Sequence, residues 1–173
     1  IPYFSYLPIM KTLLLCRHAK SDWSNLYQAD YDRSLNERGL HDAPMMGQRL
    51  AARGFHPDLM VASTAQRAAQ TATLLSGPLG YPAADIQWEK PLYHAPPRVI
   101  RDLIFSIPNS VQHLLVVCHN PGITDFVNSL CGHITDNLPT CGMAAFYIDT
   151  ERWEDYPQAK VSLYFYDFPK NGI

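Results

Sequence analysis

The chain has 173 residues, of which 47% are apolar and 17% charged, so one folded domain can bury its own core without a disulfide or a metal. This balance excludes a disordered or collagen-like protein. The formal net charge is −2 and the lysines and arginines are scattered, which argues against nucleic acid as the main partner.

Residues 1–9 are apolar but short, contain two prolines and lack a basic segment. They match neither a signal peptide nor a membrane span, and no membrane partner is expected. Because Met10 immediately precedes the first predicted strand, we expect residues 1–9 to be an extension outside the fold. Residues 10–173 are expected to form a single domain.

The four cysteines show no CxxC spacing, and Cys16 and Cys118 fall in predicted buried strands, where a thiol behaves as a small apolar group. We therefore expect reduced thiols and a cytoplasmic protein. No metal or other cofactor is expected, because no recognised ligand spacing relates the cysteines and histidines that lie nearest to one another, Cys118, His119, Cys131 and His133.

An apolar run from Thr12 to Cys16 predicts a buried strand that opens into polar residues. The stretch Ser21–Ser34 has no sustained helical period and is long enough to be a functional loop overhanging the end of that strand. Apolar residues at helical spacing then predict a helix over Asn36–Arg53. Pro44 is placed in its first turns, where a proline costs less than deeper in a helix.

Strands and helices continue to alternate along the rest of the chain. The predicted strands are Asp58–Val61, Ile86–Trp88, His113–Cys118, Met143–Asp149 and Lys160–Asp167, and the predicted helices are Ala65–Ser76, Pro97–Phe105 and Pro121–Cys131. Buried strands that alternate with helices predict an α/β fold, a three-layer α/β/α sandwich with helices on both faces of a mostly parallel sheet. We expect an antiparallel strand near the end and no large cap insertion.

Three predicted strands are each followed by groups suited to phosphate chemistry. Arg17 and His18 end the first strand, Arg67 lies in the helix after the second, and His119 follows the strand His113–Cys118. Ligands of open α/β sheets bind at the carboxyl ends of the strands, where these residues converge. Arginine offers a forked donor face for phosphate, and an imidazole can attack phosphorus.

Each of these residues also has an ordinary structural interpretation. The Arg17-His18 pair is compatible with a surface turn, and Arg67 with a solvated or salt-bridged position on a helix. His119 is compatible with a capping or core histidine bonded to the backbone. The coincidence of three strand-end signals favours a shared site.

Four segments resemble the histidine phosphatase superfamily, also called the phosphoglycerate mutase-like family. They occur in order along the chain, from about Lys11 to Leu130, and the combination is more specific than any one of them. The sequence around Leu15–Ala19 is most similar to the SixA-type branch, the protein phosphohistidine phosphatases. The segments are Leu15–Ala19, Arg33–Gly39, Ser63–Ala72 and His119–Gly122.

The resemblance implies a phosphohistidine intermediate on His18 and a phosphate pocket made by Arg17, Arg67 and His119. Asn120, within the last segment, is expected to bind substrate. The residues agree with this chemistry, because two nearby arginines disfavour protonation of an imidazole and leave a lone pair free for attack.

The sequence departs from the family at two places. Ala19 follows the nucleophile where most members have glycine, a change that is also typical of the SixA-like branch. Many members place a glutamate, as proton donor, where this chain has Pro91–His94, so His94 is one candidate donor. Asp22 is a second candidate, and the carboxylates at two further positions, Asp32 and Glu89, remain alternatives.

The function expected from the resemblance is a metal-independent phosphatase acting on phosphohistidine in a protein or on a small phosphate ester. A mutase is an alternative, although those relatives carry a longer insertion over the site. A non-catalytic domain that binds a phosphorylated ligand is a further alternative, but a pure binder does not need the nucleophile. We expect specificity to depend on the Ser21–Ser34 loop and the surroundings of His94.

Overall fold

Six strands form one sheet in the computed structural model, which describes residues 10–172. In chain order the strands are β1 (Met10–Arg17), β2 (Leu59–Ala62), β3 (Gln87–Trp88), β4 (His113–Cys118), β5 (Met143–Asp149) and β6 (Val161–Asp167). Across the sheet they lie in the order β3-β2-β4-β1-β5-β6. Strands β3, β2, β4 and β1 pair in parallel, whereas β5 runs antiparallel to both of its neighbours.

Four helices cover the two faces of the sheet. They are α1 (Glu37–Ala52), α2 (Gln66–Ser76), α3 (Pro97–Ser106) and α4 (Gly122–Cys131). Helices α1 and α2 pack with one hydrophobic cluster, and α3 and α4 pack with the other. Within β1, Leu13 and Leu15 belong to the cluster under α3 and α4, while Leu14 and Cys16 belong to the cluster under α1 and α2. Both faces of the central strands are therefore buried, which explains their uninterrupted apolar runs.

The predicted three-layer α/β sandwich is confirmed, and the observed helices and strands differ from the predicted bounds by at most two residues. The expected antiparallel strand is β5. The longest connection between these elements in residues 10–172 is 18–36, which contains one turn of 3₁₀ helix at Asp30–Asp32. The expectation for residues 1–9 lies outside the described residues.

Pro44 lies inside α1, about as far from the start of the helix as the predicted bounds put it. A proline there removes one helical hydrogen bond. The helix continues past it because Met46 and Leu50 bury their side chains in the core, and such packing outweighs local propensity.

Two glycines bring loops close to helix starts near the carboxyl ends of β1 and β4. A Cβ atom on Gly39 would overlap the carbonyl oxygen of Lys20, and one on Gly122 would overlap that of Ala95. Gly39 therefore lets α1 start against the segment that follows His18, and Gly122 lets α4 start against the segment that carries His94. Both glycines fall in the segments that carry the family resemblance.

Within residues 10–172, no helix combines the length and the apolar character that a membrane crossing requires. All four cysteines are free thiols, and those at positions 16, 118 and 141 are buried.

Candidate active site

A cavity of about 230 Å³ lies where β1, β2 and β4 end. It contains every residue that the sequence placed in the phosphate pocket. The register of the sheet explains why, since Arg17 lies beside Cys118 and Ala62 beside Val117. The lining residues are Arg17, His18, Lys20, Ser21, Trp23, Asp30, Arg33, Arg67, His94, His119, Asn120 and Thr140.

His18 is held in one orientation by both ring nitrogens. Its Nδ1 lies 2.7 Å from the carbonyl oxygen of Ala19, and its Nε2 lies 3.3 Å from Nε of Arg67. Because a carbonyl only accepts and Arg67 only donates, Nδ1 carries the proton and Nε2 carries the lone pair. Only 7% of His18 is exposed. The nucleophilic nitrogen is thus fixed toward a guanidinium group inside the cavity.

The pKa of His18 is lowered to about 3, mainly by burial and also by the positive charges of Arg67, Arg17 and Arg33, against the raising effect of the Ala19 carbonyl. The imidazole is therefore neutral at pH 7. From the sequence, we attributed this neutrality to two nearby arginines. The structure adds Arg33, and it makes burial the larger cause.

Arg17 and Asn120 both bind the segment before β5. Nη1 of Arg17 donates to the carbonyl oxygen of Leu138 at 2.8 Å, and Nδ2 of Asn120 donates to the same oxygen at 3.1 Å. Nε of Arg17 is buried and has no hydrogen-bond partner within residues 10–172. This N–H is a donor that a bound anion can satisfy. Asn120 lines the cavity, but its amide is engaged by protein groups.

His119 is the second buried imidazole of the site, 5.1 Å from His18 between ring centroids. Its Nε2 lies 2.8 Å from Oγ of Ser63, and its buried Nδ1 has no partner among the described residues. The pKa of His119 is lowered to about 2, mainly by burial and also by His18, Arg67 and His94, against the raising effect of the Asp30 charge. His119 is neutral at pH 7, so it can contribute a neutral N–H or lone pair rather than a charge.

Arg67 connects the nucleophile to a carboxylate that sequence reasoning missed. Its Nε donates to His18, its Nη1 donates to the carbonyl oxygen of Asp30 at 2.6 Å, and its Nη2 donates to Oδ2 of Asp30 at 3.0 Å. Arg67 is 2% exposed, so this pairing compensates a buried charge. Asp30 belongs to the loop that was predicted to be functional, but nothing marked it apart from the other polar residues there.

Asp30 is also bound by three further side chains. Arg33 donates to Oδ1 at 2.7 and 3.1 Å, the Tyr93 hydroxyl donates to Oδ2 at 2.7 Å, and Nε2 of His94 lies 3.1 Å from Oδ2. Burial raises the pKa of Asp30. The hydrogen bonds from Arg33, Tyr93 and His94 and the charge of Arg67 lower it by more, and the result is a pKa well below the usual range. Asp30 is therefore a carboxylate anion at pH 7.

Among the candidate proton donors, the structure brings only His94 into the cavity. The carboxylate of Asp22 accepts hydrogen bonds from the backbone N–H and the hydroxyl of Ser24, at 2.8 and 2.9 Å, and does not line the cavity. Asp32 and Glu89 are also absent from the lining.

Several motif residues support the site instead of facing it. The hydroxyl of Thr71 accepts from the backbone N–H of Ala19 at 2.9 Å and donates to the carbonyl of Arg67 at 2.6 Å. Gln70 accepts from the backbone N–H of Leu35 at 2.7 Å. Helix α2 is thereby tied to the segment after His18 and to the end of the Ser21–Ser34 loop.

No group of three or more His, Cys, Asp and Glu side chains within residues 10–172 is arranged to hold a metal ion. In this part of the chain, the positive charges at the site are those of arginines and Lys20. The α/β fold and the buried neutral histidine among arginines define a class of enzyme that handles phosphoryl groups at a histidine.

Comparison with known proteins agrees with this class. The model of the histidine phosphatase superfamily (branch 1) matches residues 13–90. An uncharacterized protein from Mycobacterium leprae is 30% identical over 166 residues, which cover 89% of this chain and 99% of that protein. The chain belongs to the histidine phosphatase superfamily, and it is a phosphatase of that superfamily.

Two solved structures share the fold over nearly the whole chain. One is of a protein assigned as the phosphohistidine phosphatase SixA from Agrobacterium tumefaciens, with 28% identity and a TM-score of 0.77, covering 92% of this chain and 98% of that one. The other has the same assignment in Nakamurella multipartitia, with 25% identity and a TM-score of 0.77, covering 93% and 97%.

Proposed function

We propose that this protein is a SixA-like protein phosphohistidine phosphatase that transfers the phosphoryl group through His18. The observation that carries the proposal is the fixed, neutral imidazole of His18, whose Nε2 lone pair faces a cavity lined by arginines. The two SixA-assigned structures support the branch. Expected site residues are His18, Arg17, Arg67, His119 and Asn120, with His94 beside them.

In the first step the Nε2 lone pair of His18 forms a bond to phosphorus. The bond between phosphorus and the substrate nitrogen breaks, and its electron pair stays on that nitrogen. Arg17 and Arg67 bind the phosphoryl oxygens, and their charges stabilise the group during transfer. Nδ1 of His18 keeps its proton, which it donates in a hydrogen bond to the carbonyl oxygen of Ala19. The ring can therefore carry the positive charge that develops when Nε2 is phosphorylated.

In the second step a water oxygen forms a bond to phosphorus and the bond to Nε2 of His18 breaks. One proton of the attacking water passes to the solvent, the electron pair of the broken bond returns to Nε2, and inorganic phosphate is released. No metal is needed in this scheme, because the guanidinium groups supply the charge that a metal supplies elsewhere.

The leaving group favours phosphohistidine over an alkyl ester. An alkoxide needs a positioned acid to leave, and Asp30, the carboxylic acid in the cavity lining, is ionised and cannot donate. An imidazole whose second nitrogen has taken a proton from solvent leaves as a neutral group. The side chain of His94 is 54% exposed and lies at the mouth of the cavity.

A small-molecule phosphomonoesterase or a mutase of the same superfamily remains the enzymatic alternative, and a non-catalytic phospho-ligand domain is the other. A phosphomonoesterase requires His94 to act as an acid. A binding domain shows no turnover. Both alternatives are separated from the proposal by the same rate measurements.

The test is the ratio of kcat/KM for a phosphohistidine protein to that for a simple alkyl phosphate, in wild type and in His94→Ala. We expect the phosphohistidine protein to be preferred. His94→Ala should leave its rate within about threefold, since a positioned acid contributes about 10² to 10⁴ only where the leaving group needs it. His133→Ala, exposed and outside the cavity, is the matched control.

A preference for the alkyl phosphate contradicts the proposal. Equal, large losses on both substrates in His94→Ala also contradict it, because an acid donor then operates for every leaving group.

A further inference from the structure

The cavity contains a fixed negative charge next to the nucleophile. The carboxylate of Asp30 receives five hydrogen bonds, two from Arg33 and one each from Arg67, Tyr93 and His94. One guanidinium group, that of Arg67, separates its Oδ2 from Nε2 of His18. A substrate that places its phosphoryl group at His18 therefore brings its next atoms close to this carboxylate.

A carboxylate at that position treats substrates differently according to their charge. It attracts a cationic group attached to the phosphorus and repels a second anionic group, and both effects are strengthened at a partly buried position. The Asp30 side chain is 38% exposed, so a substrate group in the cavity can reach it. Electrostatic repulsion of the wrong substrate is a common source of specificity.

The geometry also shows that an imidazole fits against Asp30. Nε2 of His94 lies 3.1 Å from its Oδ2, and the His94 side chain is more than half exposed at the mouth of the cavity. His94 has a φ of 50°, in the left-handed region that residues with a side chain rarely occupy. The ring of a bound phosphohistidine can therefore take the place of the His94 ring on the carboxylate.

We propose that Asp30 is a specificity residue that favours phosphorylated imidazole and rejects phosphate esters with a second negative charge. This inference rests on the proposed function. The carboxylate binds the N–H of the protonated substrate ring, whose other nitrogen carries the phosphoryl group. When the phosphorus–nitrogen bond breaks, its electron pair neutralises that ring, and the proton on the far nitrogen stays with the departing histidine.

The test uses three substrates and the isosteric change Asp30→Asn. The substrates are a phosphohistidine peptide, glycerol 3-phosphate and 3-phosphoglycerate. The last two have the same kind of leaving group and differ by a carboxylate. In wild type we expect kcat/KM for 3-phosphoglycerate to be about tenfold below that for glycerol 3-phosphate, the size of effect one screened charge pair gives.

In Asp30→Asn we expect the peptide rate to fall about tenfold and the discrimination between the two esters to disappear. Asp30→Glu, which keeps the charge, should retain the wild-type pattern. Asp32→Asn is the matched control, because it removes the same charge from the same loop at an exposed position outside the cavity.

Parallel losses on all three substrates in Asp30→Asn contradict the inference, since a purely structural role lowers every rate alike. Should Asp30→Asn fail to fold, competitive inhibition of wild type by the two esters decides, and equal inhibition constants overturn the inference. The proposed function has a separate readout, the wild-type preference for the peptide over glycerol 3-phosphate. The preference for the peptide can be absent while the charge discrimination between the two esters is observed, and the discrimination can be absent while the preference is observed.

Discussion

At the scale of single residues, the site depends on keeping imidazoles neutral beside cations. Burial is the largest cause of the low pKa of His18 and of His119, and the arginines add to it. The same arginines bind the phosphoryl oxygens in the proposed mechanism. Nucleophile activation and charge stabilisation therefore depend on one group of residues, and removal of one arginine affects both.

Arg67→Ala is expected to lower kcat/KM by about 10² to 10³, comparable to the loss of one oxyanion donor. The change removes the donor to His18 and leaves the Asp30 carboxylate with fewer partners. The measurement is the steady-state rate on a phosphohistidine peptide, with thermal unfolding as the check on folding. Arg101→Ala, an exposed arginine outside the cavity, is the control. A loss of less than tenfold in Arg67→Ala contradicts the assigned role.

The residues that could be predicted from sequence are those that follow buried strands directly. Arg17, His18 and His119 each lie at or just past a strand end, so the topology of a parallel sheet suffices to bring them together. Asp30 could not be predicted in the same way. Its contacts with Arg67 and Tyr93 depend on the path of an irregular loop, and no periodicity encodes that path.

At the scale of elements, the helices and strands were predictable because their apolar patterns are strong. The central strands are continuous apolar runs, and α1 starts after Asn36, whose side chain accepts a hydrogen bond from the backbone N–H of Gly39. The helix continues past Pro44 because tertiary packing, which a local pattern does not show, holds it together there.

The role of the motif glycines also became visible only at this scale. Gly39 and Gly122 each allow a helix start to approach a carbonyl oxygen of a loop that carries site residues. Sequence resemblance marked both positions, but their reason is a contact between segments far apart along the chain. The shape of the site is thus set by helix–loop contacts as well as by strand ends.

At the scale of the whole molecule, the two neutral histidines link folding to pH. Their folded pKa values, about 3 for His18 and about 2 for His119, lie below the usual value of 6.5. Between pH 6.5 and 3 the unfolded chain therefore binds more protons than the folded one. The stability that depends on these groups is fully present above pH 6.5 and is lost as the pH falls through that window.

We expect the free energy of unfolding to drop on acidification by up to about 1.4 kcal/mol per pH unit for each histidine. Urea unfolding at pH 7.5, 6 and 5 measures this slope. In His119→Gln the slope should become shallower, whereas His56→Gln, at an exposed position, should keep it. The carboxylate of Asp30 does not contribute to the slope between pH 7.5 and 5, because its pKa is lowered in the folded protein. The stability that it contributes is lost only below about pH 4, where the carboxyl group of the unfolded chain takes up a proton. An unchanged slope in His119→Gln contradicts this linkage.

Trapping the phosphorylated enzyme tests whether the phosphoryl group passes through Nε2 of His18. Enzyme is mixed with phosphohistidine protein labelled in the phosphoryl group, quenched in base within one turnover, digested and mapped. We expect label on the peptide that contains His18, stable in base and lost in acid, and no label above background in folded His18→Ala. Label that never appears on the enzyme during turnover, or that survives acid as a phosphoester does, contradicts a phosphohistidine intermediate on His18.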